Sequence, residues 1–384
     1  MRAVIALIVL SWFATSDATP IQDLSPTTTL MVQTAPASSG EAAAGASGSP
    51  LIGLKDRTWT AISGVGVPFC CNSKHTRQLY DSKRGRMVLA GGDYSVPENG
   101  GGSYSGQMVW AIDLARGTTW EKLHAWCAPP GGVQPNRPDN VTWVYDPKRD
   151  KGVMMPAFYG ANGSGCPNVT ETKGGYTFNF ETRQWEEATW HVPTPAYGGD
   201  LHNHFGVLDP ITDRVYRFYD RGGAHMQVVP MDGSSSEFIK LPGLKNMNND
   251  QPAIDVEGRA IYAIAREIRS LVKYSIPDKK VVARIPLPAT WVAPTGEFGG
   301  WEYETYLAFD SKNRVLLNPV TVGYGGIPKG LGIYRLDSKE WEWEAVPPGV
   351  SGNNLAYDAT NNVFLFLGRN ADHKFWLYRY AGGG

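Results

Sequence analysis

A short pattern recurs six times along the chain: an aromatic or aliphatic residue, an aspartate, a polar turn, a basic residue or asparagine, and a run of strand-forming residues. The copies are Tyr80-Asp81 with Arg86, Tyr145-Asp146 with Lys151, Leu208-Asp209 with Arg214, Ile254-Asp255 with Arg259, Phe309-Asp310 with Arg314, and Tyr357-Asp358 with Asn362. The aspartates lie 65, 63, 46, 55 and 48 residues apart. A repeat of this period built from short strands predicts a β-propeller, whose chemistry lies at one mouth of a central channel.

The first copy shows how one blade is built. Residues 78–81 alternate in polarity, residues 86–90 form an apolar run that ends at Gly91-Gly92, and residues 108–113 and 119–123 provide a third and a fourth strand pattern. Such runs are typical of strands. No long segment shows a 3.6-residue apolar period with caps. The prediction is therefore an all-β fold with blades of four antiparallel strands.

The two chain ends suggest how the ring closes. After residues 375–380 the last copy has no fourth strand, whereas residues 56–62 form an isolated strand pattern upstream of the first copy. Pairing these segments would leave no open edge. We therefore predict six blades, the last completed by the N-terminal strand. The alternative is a seventh blade within the long inter-blade loops.

The first copy also carries a family resemblance. Tyr80-Asp81, Arg86-Met87, the Gly91-Gly92 doublet and Trp120 resemble the kelch repeat of galactose-oxidase-like propellers, over roughly residues 56–380. The resemblance implies a propeller that is either an enzyme or an adaptor. The glycine doublet is clear only in the first copy. No motif supplies the Tyr and His ligands and Cys crosslink of that family's copper-radical chemistry.

Composition and the N-terminal region restrict the class of protein. A net charge of −1 and a pI near 6.7 argue against nucleic-acid binding, and no stretch is long enough to span a bilayer. Residues 1–18 resemble a secretory signal peptide, the alternative being a buried N-terminal strand. Residues 19–50 are predicted to be a disordered linker rich in Thr, Ser, Ala and Pro, and residues 51–384 the propeller. We expect a secreted monomer, periplasmic in a bacterial host.

Four cysteines fit that compartment. Cys70 and Cys71 are each expected to pair with Cys127 or Cys166, because a disulfide between adjacent residues is strained. The alternative is a metal site formed by Cys70, Cys71 and His75.

Equivalent positions in the six first strands should form rings around the channel. Six residues before each aspartate stand His75, Asn140, Asn203, Asn249, Glu304 and Gly352; two residues later stand Arg77, Thr142, Phe205, Gln251, Tyr306 and Asn354. The next ring is small and apolar: Leu79, Val144, Val207, Ala253, Ala308 and Ala356. One end of the channel is thus predicted to be polar. A simpler interpretation is that these polar groups only satisfy loop backbone and water.

The polar rings suggest a cation. The oxygens of Asn140, Asn203, Asn249 and Glu304 suit calcium or another divalent cation, which takes six to eight oxygen ligands. Six-bladed lactonases of the gluconolactonase and paraoxonase type are similar in this respect, although their sequence signatures are not visible here.

The same end carries candidates for catalysis and sugar binding. His75, His202 or His204 could act as general base, with Arg77 and Glu304 as charge partners. The side chains expected to contact a sugar are Trp126, Tyr159, Trp301, Tyr306 and Asn354. In the alternative interpretation the histidines and aromatic residues only pack within the loops.

Three functions follow from these candidates. The first is a secreted propeller that binds a carbohydrate and, if catalytic, cleaves it as a lyase or hydrolase. The second is a non-catalytic propeller that binds an extracellular protein or glycan. The third is a calcium-dependent lactonase or esterase.

Overall fold

The computed structural model describes residues 40–41, 49–63, 77–90, 108–125, 132–135, 142–155, 175–190, 205–220, 224–244, 247, 250–265, 268–288, 305–320, 330–347, 354–367 and 374–382. These residues contain 27 β-strands and no helix, which confirms the all-β prediction. Within this part of the chain there is accordingly no helix that could cross a membrane.

Five four-stranded antiparallel sheets follow one another along the chain. Blade 1 contains β3 (Arg77–Asp81), β4 (Arg86–Ala90), β5 (Val109–Ile112) and β6 (Glu121–His124); blade 2 contains β7 (Thr142–Asp146), β8 (Lys151–Met155), β9 (Tyr176–Asn179) and β10 (Gln184–Glu187). Blade 3 contains β11 (Gly206–Asp209), β12 (Arg214–Asp220), β13 (Ala224–Pro230) and β14 (Glu237–Lys240). Blade 4 contains β16 (Ala253–Asp255), β17 (Ala260–Ala265), β18 (Ser270–Ser275) and β19 (Lys280–Pro286); blade 5 contains β21 (Ala308–Asp310), β22 (Val315–Val320), β23 (Gly330–Arg335) and β24 (Glu340–Glu344).

The sixth blade joins the two ends of the described chain. It consists of β25 (Asn354–Asp358), β26 (Val363–Leu367), β27 (Lys374–Arg379) and the N-terminal β2 (Thr58–Ser63), which pairs antiparallel with β27. The short strand β1 (Gly40–Glu41) pairs in parallel on the outer side of β2. The predictions of six blades and of closure by the N-terminal strand are both confirmed.

Apolar clusters fill the gap between each blade and the next. Six buried clusters form the core, and each contains residues from two neighbouring blades. The residue before each repeated aspartate packs in one of these gaps: Tyr80, Tyr145, Leu208, Ile254, Phe309 and Tyr357. The stability of the ring thus depends on contacts between blades, which each sheet cannot supply alone.

The repeated aspartates hold the turns between first and second strands. All six are buried, and each accepts a hydrogen bond from a backbone N–H two or three residues later. Four residues after each aspartate the backbone is left-handed, with φ between 52° and 64°, at Gly85, Asp150, Asp213, Arg259, Arg314 and Asn362. The sequence repeat therefore encodes one turn, used six times.

Charged side chains connect these turns from blade to blade. Arg84 donates to both carboxylate oxygens of Asp150, and Arg149 does the same to Asp213 in the next blade. Further round the ring the direction reverses, because Arg259 donates back to Asp209 in the preceding blade. We call this face of the propeller the turn end, and the opposite face, where the first strands begin, the mouth.

Several sequence predictions concern residues outside the described part of the chain. These are the signal peptide, most of the linker, and all four cysteines with their expected disulfides. They stay predictions.

Candidate functional site

The central channel contains an open cavity of about 420 Å³, lined by the first strands of the six blades and, at the turn end, by Pro147, Pro210, Val256 and Ala359. Its middle is walled by the predicted apolar ring of Leu79, Val144, Val207, Ala253, Ala308 and Ala356. Equivalent positions in successive blades therefore do meet around a shared axis, as the spacing from the aspartates predicted. The polar residues at the mouth side of this wall form the candidate site.

Arg77 lies at the centre of that polar layer. Its Nη1 donates a hydrogen bond of 3.0 Å to the hydroxyl of Tyr306, and its guanidinium lies 3.7 Å from the ring centroid of Phe205. Arg77 is 3% exposed and Tyr306 is fully buried. Because a guanidinium is planar and weakly hydrated, it stacks on an aromatic ring at little cost. The three side chains join blades 1, 3 and 5 across the axis.

Gln251 connects the other side of the layer. It belongs to the short strand β15 (Asp250–Gln251), which pairs in parallel with β20 (Thr305–Tyr306). Strand β20 immediately precedes β21, the first strand of blade 5. Its amide nitrogen donates to the carbonyl oxygens of Leu355, at 3.2 Å, and Leu307, at 3.4 Å. Thr142 is buried in the same layer. We call the layer of Arg77, Thr142, Phe205, Gln251 and Tyr306 the channel floor.

Arg217 is a polar residue that sequence reasoning missed. It lies on β12, is 1% exposed, and its only hydrogen bond among the described residues runs from Nη1 to Gln227 at 3.5 Å. Desolvation lowers the pKa of this guanidinium from 12.5 to about 9. It therefore carries its charge at neutral pH inside the protein.

A comparison of the six copies could have found it. Eight residues after the repeated aspartate, where the side chain faces the preceding blade, the copies carry Leu89, Met154, Arg217, Ala263, Asn318 and Phe366. Four of these residues are apolar and only one is charged. A lone charge at an apolar position of a repeat is the signal.

The sequence-predicted site residues fall into two groups. Arg77 and Tyr306 are brought together in the channel floor, and Asn354 begins β25 at the same level. The others lie outside the described residues: His75, Trp126, Asn140, Tyr159, His202, Asn203, His204, Asn249, Trp301 and Glu304. The predicted calcium ligands belong to this second group. Within the described part of the chain, no three His, Cys, Asp or Glu side chains are grouped to hold a metal.

Comparison with known proteins adds little to this geometry. No protein-family model matches the sequence, and no curated protein matches it. Among solved structures, a gluconolactonase from Xanthomonas campestris, described as important in glucose secondary metabolic pathways, is similar with 10% identity and a TM-score of 0.47. The match covers 80% of this chain and 86% of that one. The six-bladed architecture therefore rests on the strand pairing described above.

Proposed function

We propose that this protein is a secreted propeller that binds a carbohydrate at the mouth of its channel. The observation that carries the proposal is the channel floor, in which Arg77, Phe205 and Tyr306 from alternate blades meet in a fixed, buried arrangement. A floor held by contacts across the axis provides a rigid base for a ligand. Rigid sites bind with a smaller loss of conformational entropy.

The bonding of charged groups at the turn end supports placing the ligand at the mouth. At the turn end, repeated aspartates such as Asp81, Asp146 and Asp209 are bonded to arginine side chains and to backbone N–H groups. The residues that precede the floor in sequence, including Asn203 and Glu304, lie outside the described residues, and we expect them at the mouth. Hydroxyl-rich ligands are recognised by such amide and carboxylate groups together with aromatic faces, which Trp126 and Trp301 would supply.

The buried tryptophans support a kelch-like subtype as part of the proposal. The kelch resemblance includes a tryptophan at the fourth strand of a blade, and in blade 1 this is Trp120, which immediately precedes β6. Equivalent residues are buried in four blades: Trp59, Trp120, Trp185 and Trp341. Blades 3 and 4 carry Phe238 and Val281 at this position, so the pattern is incomplete.

The proposal is one of binding rather than cleavage. A lyase or hydrolase would require His75, His202 or His204 close to Glu304, and all four lie outside the described residues. Arg77, the charge partner expected for such chemistry, is bonded to Tyr306 and stacked on Phe205. The channel floor therefore favours a structural role for Arg77 beneath a ligand.

A binding experiment tests the proposal directly. Purified protein is titrated calorimetrically with neutral and acidic oligosaccharides, and the titration is repeated with Trp301→Ala and Asn203→Ala, which change two residues expected at the mouth. Because loss of one stacking or hydrogen-bonding group costs about 1.4 kcal/mol, each variant should bind about tenfold more weakly.

Ile211→Ala is the matched control, because Ile211 is a 64% exposed apolar side chain at the turn end. It should bind like the wild type. The proposal fails if no oligosaccharide binds saturably, or if Ile211→Ala weakens binding as much as the mouth variants do.

A further inference from the structure

Arg217 is a buried cation with no carboxylate partner among the described residues. Its side chain is inaccessible to solvent, and Nε and Nη2 have no hydrogen-bond acceptor within that part of the chain. The 3.5 Å contact from Nη1 to Gln227 is long for a charge-assisted hydrogen bond. By contrast, Arg84, Arg149 and Arg259 at the turn end each hold a carboxylate with both Nη1 and Nη2 at 2.7–2.8 Å.

An uncompensated buried charge opposes folding, so the fold alone does not explain Arg217. Removing a guanidinium from water costs several kcal/mol unless an anion or good acceptors replace the lost solvent. The neighbouring copies of the repeat place Met154 and Ala263 at the same position, and both are fully buried. The ring thus accepts an apolar side chain here, and retention of arginine indicates a different use.

The local backbone is shaped to admit this side chain. Gly206 lies directly opposite Arg217 in the pairing of β11 with β12. A Cβ atom on Gly206 would lie 2.8 Å from Cγ of Arg217 and 3.2 Å from Cγ2 of Thr142. The absence of a side chain at Gly206 therefore leaves room for the arginine side chain on the face of blade 3 towards Thr142 of the neighbouring blade.

The position of Arg217 relates it to the proposed carbohydrate site. Gly206 is the first residue of β11, so its partner Arg217 lies towards the mouth end of blade 3. Phe205, which precedes Gly206, is the ring on which Arg77 stacks. Arg217 thus lies behind the channel floor, between blades 2 and 3.

We propose that Arg217 is the anchoring cation of a site for the carboxylate of an acidic sugar. This inference deepens the proposed carbohydrate-binding function and rests on it. The planar guanidinium offers Nε and Nη2 in a fork that matches the two oxygens of a carboxylate. Gln227 places an amide beside the same group. Arg77 does not fill this role, because Tyr306 and Phe205 already engage its guanidinium.

Thermal unfolding with simple probes tests the assignment. Wild type, Arg217→Met and Asn318→Leu are melted in sodium glucuronate, in glucose, and in sodium sulfate, with ionic strength matched by chloride. Asn318 occupies the equivalent position in blade 5 and is also a buried polar residue, so Asn318→Leu is the matched control. Glucuronate should raise the Tm of wild type and Asn318→Leu saturably, and leave that of Arg217→Met unchanged.

The melting temperature of Arg217→Met is also informative when no sugar or sulfate is added. In chloride alone Arg217→Met should melt at or above the wild-type temperature, because methionine removes an uncompensated charge and fits the position of Met154. A titration of the folded variant with glucuronate should show affinity reduced about thirtyfold or more. If Arg217→Met fails to fold, Arg217→Lys serves instead, because it keeps the charge without the fork and should weaken glucuronate binding.

Each outcome bears on the inference. Equal glucuronate shifts in wild type and Arg217→Met would overturn it, as would the absence of a shift in wild type. Stabilisation by sulfate but not by glucuronate would overturn the assignment to a carboxylate. If wild type and Arg217→Met bind neutral oligosaccharides equally well and wild type does not respond to glucuronate, this inference is wrong. The proposed carbohydrate-binding function would then still hold.

Discussion

Nη1 of Arg77 in blade 1 donates a hydrogen bond of 3.0 Å to the hydroxyl of Tyr306, which precedes blade 5 and lies 229 positions away along the chain. The same guanidinium stacks on Phe205 at blade 3. These contacts therefore connect blades 1, 3 and 5, which are not neighbours in the ring, across the central axis. The pair therefore acts as a brace across the channel.

Replacing Tyr306 by phenylalanine should weaken this brace. The change removes the buried acceptor of Arg77 Nη1, and loss of a hydrogen bond to a charged group costs about 1.5–3 kcal/mol. The free energy of unfolding, measured by urea titration, should fall by that amount. Tyr274→Phe is the control, because the Tyr274 hydroxyl is buried without a partner among the described residues. A fall as large in Tyr274→Phe would contradict the assignment.

The fold was predictable because each blade repeats the same local rule. Asp81, Asp146 and Asp209 mark turns that recur in the structure, and counting back from them correctly placed Leu79, Val144 and Val207 in the channel wall. The sequence pattern contained one inconsistency. The basic residue or asparagine of the pattern follows the aspartate by five positions in the first three copies and by four in the last three, whereas the left-handed residue lies four positions on in all six.

The site was less predictable, because spacing assigns a residue to a strand face but not to its partners. Arg77 was expected to act as a charge partner in catalysis, which stays a prediction, and its contacts with Tyr306 and Phe205 could not be foreseen from spacing. Arg217 was overlooked because an arginine in a strand normally lies in solvent. Its burial depends on Gly206, a residue of a different strand. Such long-range combinations are not visible in any single segment.

The ion pair between Arg149 and Asp213 predicts a defined response to acid. Hydrogen bonding by Arg149 lowers the pKa of Asp213 from 3.8 to about 2, against an opposing effect of desolvation. A lowered folded-state pKa means that the stabilisation is present above pH 4 and is lost as the pH falls through 2. Asp213→Asn should therefore be about 1 kcal/mol less stable at pH 7, with the difference from wild type shrinking between pH 4 and pH 2.

Urea titrations at several pH values from 7 to 2.5 measure this difference. Asp337→Asn is the control, because Asp337 is a 74% exposed side chain whose carboxylate also accepts from an arginine. Its effect at pH 7 should be below about 0.5 kcal/mol. A constant difference between Asp213→Asn and wild type across the whole range would disprove the coupling.

Closure by the N-terminal strand predicts unequal effects of two truncations. Removing residues 1–63 deletes β2, including Trp59, which is 1% exposed and packs 5.0 Å from the ring of Tyr378. Loss of one buried tryptophan costs about 3–5 kcal/mol, so the Tm should fall by about 10 °C or more, and the open edge of β27 should promote aggregation. Removing residues 1–48 leaves β2 in place and should change the Tm by only a few degrees. Calorimetry measures the Tm of the two truncated proteins, and size-exclusion chromatography measures their aggregation. Equal Tm values and equal aggregation would refute closure by the N-terminal strand.

Gly206→Ala should be destabilising, and part of its cost should depend on Arg217. The added Cβ would lie 2.7 Å from the carbonyl oxygen of Tyr216 and 2.8 Å from Cγ of Arg217. Overpacking of this kind costs about 1–3 kcal/mol. In the double variant with Arg217→Ala the second contact disappears, so the two changes together should cost less than their sum by about 0.5 kcal/mol or more. Strict additivity in a double-mutant cycle of unfolding free energies would show that the two side-chain positions are independent.

Burial of His124 predicts a second pH dependence, nearer neutrality. Desolvation lowers the pKa of His124, although Nδ1 lies 2.8 Å from the carbonyl oxygen of Arg183 and Nε2 contacts Gln134. Because the folded-state pKa is lowered, the contribution of the neutral ring is present above pH 6.5 and is lost as the pH falls through the folded-state value.

His124→Gln should therefore be less stable than wild type at pH 8, since it loses the edge contacts of the ring with Phe178 and Trp185. The glutamine does not titrate, so its deficit should narrow as the pH is lowered from 7 to 5. Melting temperatures of both proteins in matched buffers across this range provide the measurement. Parallel curves would show that His124 takes up no proton on unfolding, and a widening gap would mean that the folded protein stabilises its charged form.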